Sequence, residues 1–224
     1  MALNLASHQP YIDAEVQGSN GKPIHASVEI DTGKVDPFSM NAAFARRNGL
    51  RTDAPGVLAM KGISLGGETQ AWFTRGEWLR FADFSLKNPV IAMAEEDTNR
   101  AGQLGYGVLK RFTITFDYAR SRAFFEANAS LSQMFEFDHA GWILSAGGPD
   151  FSSLKVFMVI AGTPASAAGI RDGDEILTIN GRPANAFSLD EAREYFEHAM
   201  GPQKLSIRRE GAMLSVIVGC HPLV

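Results

Sequence analysis

One hexapeptide, Val28-Glu29-Ile30-Asp31-Thr32-Gly33, constrains this chain more than any other stretch. Val28 and Ile30 alternate with Glu29, the pattern of a half-buried strand. The run then sets a carboxylate, a hydroxyl and a glycine in succession where that strand must turn. Thr32 can bond neighbouring backbone and Gly33 is free to take positive φ, so Asp31 sits at the end of a rigid element. That placement suits a fixed, oriented carboxylate. All three residues also favour ordinary turns, so the tripeptide needs support from the rest of the chain.

Short apolar runs and turn residues surround it. Residues 10–16 predict a first strand, 17–23 (Gln-Gly-Ser-Asn-Gly-Lys-Pro) a turn, and 24–30 the return strand of a hairpin. Asn41 predicts the N-cap of a short helix, 42–47, stopped by Asn48-Gly49. Residues 57–68 carry Gly62, Gly66 and Gly67 and read as a glycine-rich hairpin tip. Further strands are expected at 71–79, 81–86 and 90–93, then a polar loop that includes Glu95-Glu96-Asp97. Phe112, Ile114 and Phe116 share one face of a period-two strand, which returns at 123–125.

The second half has a different texture. Residues 134–137 alternate as a strand, 138–141 turn into 142–145, and 156–160 form an apolar strand. A short capped helix is expected between Gly162 and Ile170, then a strand bounded by tight turns across 171–183. Ser188 predicts a helix N-cap, with Glu191 completing a capping box and Gly201-Pro202 closing the helix after Met200. Two final strands, 205–209 and 213–218, meet at Glu210-Gly211.

Composition removes several function classes. The 224 residues are 45% hydrophobic and 21% charged, enough apolar content for a sizeable core. A net charge of -4, with no basic run longer than two residues, gives no electrostatic reason to expect nucleic acid. One cysteine, Cys220, excludes an intramolecular disulfide. No apolar run is long enough for a membrane span, and residues 1–8 lack the features of a signal peptide. The five histidines show no paired metal spacing, so neither a metal nor another cofactor is expected. Trp72, Trp78 and Trp142 read as sheet packing, and no glycine pattern has the context of a phosphate loop.

The hairpin into Asp31-Thr32-Gly33, the small helix, the glycine-rich hairpin and the segment Gly102-Gln103-Leu104-Gly105 together resemble one lobe of a retropepsin-like aspartic protease, over residues 9–128. The resemblance implies that Asp31 is the catalytic carboxylate and that Thr32 braces its lobe against another. It implies that Gly62, Gly66 and Gly67 lie in a substrate-covering flap, and that Leu104-Gly105 passes near the catalytic strand. Two positions depart from the family pattern. Lys34 stands where Ala or Ser is usual, and a lysine beside Asp31 favours its ionised form. Gln103 stands where an aliphatic residue is usual, and reads as a mild substitution.

The run from Thr163-Pro164-Ala165 through Ala168-Gly169-Ile170 to Gly173-Asp174-Glu175-Ile176-Leu177-Thr178-Ile179-Asn180-Gly181 resembles the core of a PDZ domain, over residues 132–222. By that resemblance Gly141-Trp142-Ile143-Leu144 is the loop whose N–H groups bind a C-terminal carboxylate, and the following strand takes up the peptide. Ala192, Tyr195 and Phe196 would line the side-chain pocket, with helix-core packing the alternative for Phe196 above all.

The expectation is therefore a mainly β chain, an acid-protease β-barrel lobe followed by a PDZ β-sandwich with two short helices. The activity implied is an aspartic endopeptidase with a PDZ domain that binds peptide or protein C-termini. Aspartic proteases need two carboxylates, and the chain carries a single Asp-Thr-Gly. The second is expected from a homodimer partner or from a second lobe absent here. The alternative is an inactive protease fold acting as a binding protein through its PDZ domain. Proteins resembling this pair are usually bacterial and often exported, which implies the periplasm or cell envelope, with the cytoplasm as the alternative.

Overall fold

The computed structural model describes residues 1–5, 8–18, 21–54, 56–64, 67–95 and 100–224. Ser19, Asn20, Gly66, Glu96 and Asp97, which fall in expected turns and loops, lie outside the described residues. The chain divides into two compact units, and the division falls between Phe135 and Glu136. Both are built mainly of strands.

The first unit runs β1 (Tyr11–Gln17), β2 (Pro23–Ile30), β3 (Phe38–Asn41), α1 (Ala42–Arg47), β4 (Leu58–Ser64), β5 (Gly67–Arg75), β6 (Trp78–Phe81), β7 (Phe84–Lys87), β8 (Val90–Ala94), β9 (Gly102–Leu104), α2 (Tyr106–Leu109), β10 (Phe112–Asp117) and β11 (Arg122–Ala127). Nine strands form one sheet in the order β4-β5-β8-β3-β9-β2-β1-β6-β7. Alternation sets the first hairpin: Ile12, Ala14 and Val16 pair with Val28, Ala26 and Ile24, and all six are buried. Phe38, Met40, Leu79, Ile91, Met93 and Leu104 are fully buried beside them. Each such side chain contributes about 1.5–3 kcal/mol over its exposed state. β10 and β11 pair as a separate hairpin. Phe112 and Phe125 of that hairpin meet Phe84 and Phe81 edge to face at centroid distances of 4.7 and 5.3 Å.

Local signals held where they were strong. Asn41 caps α1 by accepting from Ala43 and Phe44 N–H, and the helix ends at Arg47. Three strand expectations needed correction. Residues 71–79 break at Gly76, where a Cβ would come within 2.8 Å of the Ile91 side chain and 3.0 Å of the Gln17 carbonyl. Residues 81–86 are likewise not one strand, because Ala82 takes a φ of 47° and folds β6 back onto β7. Residues 134–137 are not a strand at all. The carbonyls of Met134 and Phe135 accept side-chain bonds from Arg111 and Arg75 instead of joining a ladder.

The second unit runs β12 (Trp142–Gly147), β13 (Ser153–Val159), α3 (Pro164–Ala167), β14 (Glu175–Ile179), β15 (Arg182–Pro183), α4 (Leu189–His198), β16 (Gly201–Arg209) and β17 (Ala212–Cys220). Its sheet order is β12-β13-β14-β16-β17, with β15 added to β14. Val156, Ile176, Ile207, Ala192 and Phe196 pack into one core. The capping box forms as read, Ser188 accepting from Glu191 N–H while the Glu191 carboxylate accepts from Ser188 N–H. α4 ends at His198, and Gly201-Pro202 begins β16 rather than closing the helix. Glu210 and Gly211, both at positive φ, make the β16–β17 turn.

Candidate functional site

Asp31 follows β2 directly, and β2 lies parallel to β9 with Glu29 opposite Gln103 and Ile30 opposite Leu104. The Asp31 N–H bonds the Leu104 carbonyl at 3.0 Å, so the β9 strand carries the ladder one residue past β2. Gly105 must be glycine here, since a Cβ would fall 2.1 Å from the Asp36 carbonyl oxygen. Close approach, not positive φ, is what the later glycine supplies. The half-buried Asp31 carboxylate has both oxygens engaged. Gly33 N–H donates to Oδ1 at 2.9 Å and the Gln103 amide donates to Oδ2 at 2.8 Å. Thr32 and Gly33 beside it are exposed.

Behind Asp31 lies a buried polar row on three adjacent strands. Gln103 donates also to Glu29 Oε2 at 3.2 Å, and Ser39 Oγ donates to Gln103 Oε1 at 3.5 Å. Glu29 and Gln103 are each 6% exposed and Ser39 is 2% exposed. Arg100 closes the row by pairing with Glu29. Gln103 is thus no mild substitution, because its amide touches the carboxylate that the motif singles out. Lys34 Nζ pairs with Asp36 Oδ2 at 3.7 Å. Glu29, Ser39 and Arg100 were not read as site residues from sequence. The available signal was that Glu29 sits two residues before Asp31 on the same face of an alternating strand.

Of the expected flap residues, Gly62 lies in β4 opposite Thr69, and Gly67 lies in β5 opposite Ser64. Gly66 lies outside the described residues.

The expected carboxylate loop already faces a carboxylate of its own chain. Asp138, which the sequence reading passed over, turns its own Oδ1 onto the N–H groups of Ala140 at 2.9 Å, Gly141 at 2.6 Å and Trp142 at 3.4 Å. Two of the N–H groups expected to receive a peptide carboxylate therefore face an internal one. Gly141, at φ +82°, packs where a Cβ would overlap Thr163. Trp142 is buried edge to face against Phe196 at 4.8 Å, and its Nε1 has no hydrogen-bond partner among the described residues. Ile143 lies half-buried in β12, and Leu144 is buried, its carbonyl accepting from Arg193 of α4 at 2.9 Å. Burial pushes the Asp138 carboxyl up to about 7 against the pull of its three backbone donors, and Glu197 adds to the rise.

Ala192 and Phe196 are fully buried in the core. Tyr195 packs against Phe187 and Phe196, and its hydroxyl bonds Gln203 and accepts from Asn180. Helical spacing put all three on one face; the core takes Ala192 and Phe196, while Tyr195 stays partly exposed and lines an open pocket with Phe187, Glu191 and His198. Among the described residues, no group of three or more His, Cys, Asp or Glu side chains is placed to hold a metal. None of their helices is long and apolar enough to cross a membrane.

Comparison with known families agrees with this geometry at the level of class. Residues 12–108 match the family model described as aspartyl protease, and residues 158–208 match that of the PDZ domain. The first matched segment is thus similar to aspartyl proteases and the second to PDZ domains, within one mainly β molecule. A retropepsin-like aspartic protease from Rickettsia conorii shares 22% identity over 52% of this chain and 90% of its own, with a TM-score of 0.42. The HtrA3 PDZ domain, solved bound to a phage-derived ligand (FGRWV), shares 25% identity over 38% of this chain and 85% of its own, with a TM-score of 0.33. No curated protein matches the chain.

Proposed function

We propose that this protein is an aspartic endopeptidase whose single lobe supplies one catalytic carboxylate, Asp31. The observation that carries the reading is Asp31 itself: a half-buried carboxylate fixed at the end of β2, with Thr32 and Gly33 exposed beside it. Peptide hydrolysis of this type needs one carboxylate to take a proton from water while a second holds one for the substrate. The second is supplied by Asp31 of another copy, or by another lobe. The exposed Thr32-Gly33 edge leaves room for such a partner.

The PDZ domain is the peptide-recognition module in this reading. Asp138 holds the Ala140, Gly141 and Trp142 N–H groups, so capture of a C-terminal carboxylate requires Asp138 to release them. A second reading, a protease fold retained for binding alone, draws support from Lys34, which departs from the family pattern next to Asp31.

The deciding experiment is Asp31→Asn in the full chain, assayed for peptide cleavage at acidic pH. The change is nearly isosteric but sets an NH2 against either the Gly33 N–H or the Gln103 amide, so it should abolish cleavage and lower the melting temperature modestly while unfolding stays cooperative. Cleavage that survives it ends the aspartic-protease reading. A wild type that cleaves nothing at any concentration favours the binding protein.

A further inference from the structure

We propose that Gln103 is the positioning residue of Asp31, a role that rests on the endopeptidase reading above. Its amide nitrogen donates to Asp31 Oδ2 at 2.8 Å and to Glu29 Oε2 at 3.2 Å, while its carbonyl oxygen faces the Ser39 hydroxyl at 3.5 Å. Carboxylates only accept, so the orientation of the amide is forced: the NH2 end meets both acids and the oxygen meets the hydroxyl. The strand register builds this arrangement. Gln103 stands opposite Glu29 on β2 and opposite Ser39 on β3, which fixes the amide from both sides.

Glu29 is in turn held by Arg100, so the second carboxylate is neutralised where it lies 6% exposed. Gln103 can then reach Asp31 as a neutral donor locked in one rotamer. Other charged groups around the turn are Lys34 and Asp36, which pair with each other at 3.7 Å. The Gly33 N–H and the Gln103 amide together fix the plane of the carboxylate. An aliphatic side chain at this position could not do this. Gln103 acts through Asp31 rather than on substrate.

The test compares wild type, Gln103→Leu and Gln103→Glu as full chains, with kcat and KM measured across pH. In Gln103→Leu, kcat should fall about tenfold with KM within about twofold. Gln103→Glu is nearly isosteric and keeps the fold if the leucine variant does not. Ionised, it sets a third carboxylate against Asp31 and Glu29; protonated, its single O–H can donate to one of the two acceptors that the amide reaches. Its kcat relative to wild type should therefore rise as pH falls, which a merely structural role would not produce. Wild-type kcat in Gln103→Leu, or a pH-independent ratio for Gln103→Glu, would overturn the proposal.

A readout without activity separates this result from failure of the endopeptidase reading. The Gln103 side-chain NH2 proton resonances should move on Asp31→Asn and on Glu29→Gln. If they do not, the positioning role is wrong whatever the chain cleaves. If they move in a protein whose cleavage survives Asp31→Asn, the contact stands and the catalytic role falls with the reading it rests on.

Discussion

Asp138 is the residue whose environment most contradicts its chemistry. A single carboxylate oxygen satisfies three backbone N–H groups, yet burial raises the group from its ordinary 3.8 to about 7. The folded state then binds a proton more tightly than the unfolded state does. The contribution of Asp138 is most favourable below 3.8, declines as pH rises through the window, and is fully unfavourable above about 7. Asp138→Asn cannot ionise and should remove that slope. With Trp72 and Trp78 replaced by Phe, the urea midpoint reported by Trp142 should favour the Asn variant progressively between about pH 5 and about pH 8. A constant gap between the two proteins would show that Asp138 does not titrate there.

At the scale of elements, the end of the first unit depends on one cation. Arg111 follows α2, is 1% exposed, and stacks 3.8 Å over the Phe135 ring. Its guanidinium donates to the carbonyls of Gly107 at 3.1 Å, Ser130 at 3.1 Å and Met134 at 3.2 Å, and to that of Gln133. Residues 130–135 have no sheet partner, so this fork supplies the backbone pairing that a strand would have supplied. Burial lowers the Arg111 pKa, the penalty of desolvating a cation whose partners are neutral carbonyls. Arg111→Met keeps the apolar stem and removes every donor. It should destabilise the first unit by about 3 kcal/mol and open residues 130–135 to proteolysis. Arg111→Lys, with a point charge in place of a fork, should recover only part of the loss. A wild-type melting temperature in Arg111→Met would show that these carbonyls find water instead.

At the scale of the whole molecule, the constraint is arithmetic. The chain carries one Asp-Thr-Gly, and dyad chemistry takes two carboxylates. If the second comes from another copy, activity belongs to the dimer. The rate should then rise with the square of chain concentration at low concentration and linearly once association saturates. Mixing wild type with excess Asp31→Asn chains should suppress cleavage, because mixed dimers hold one carboxylate. A first-order rate across the whole range, with no suppression, would instead place both carboxylates within one chain.

Two kinds of information separate along these scales. The caps of α1 and α4, the β1–β2 and β16–β17 hairpins and the turn after Ile30 were all legible in the sequence, because each is settled by partners a few residues away. Asn41 reaches Ala43 and Phe44, and Ser188 reaches Glu191. The strands β3 and β9, four and three residues long, were too short to show a period. Residues 192 and 195 carried the right spacing, but spacing cannot say whether a groove or the core takes that face. The contact that holds Asp31 joins residues 72 apart, and it exists only because β9 pairs parallel to β2 in one register. Shift that register by one residue and Gln103 points to the opposite face of the sheet. The sequence alone thus determined the motif, the class and the local elements. Which donor holds the Asp31 carboxylate, which acid fills the Gly141 loop and what organises residues 130–135 were decided by tertiary packing, which brings distant polar groups together where water cannot satisfy them.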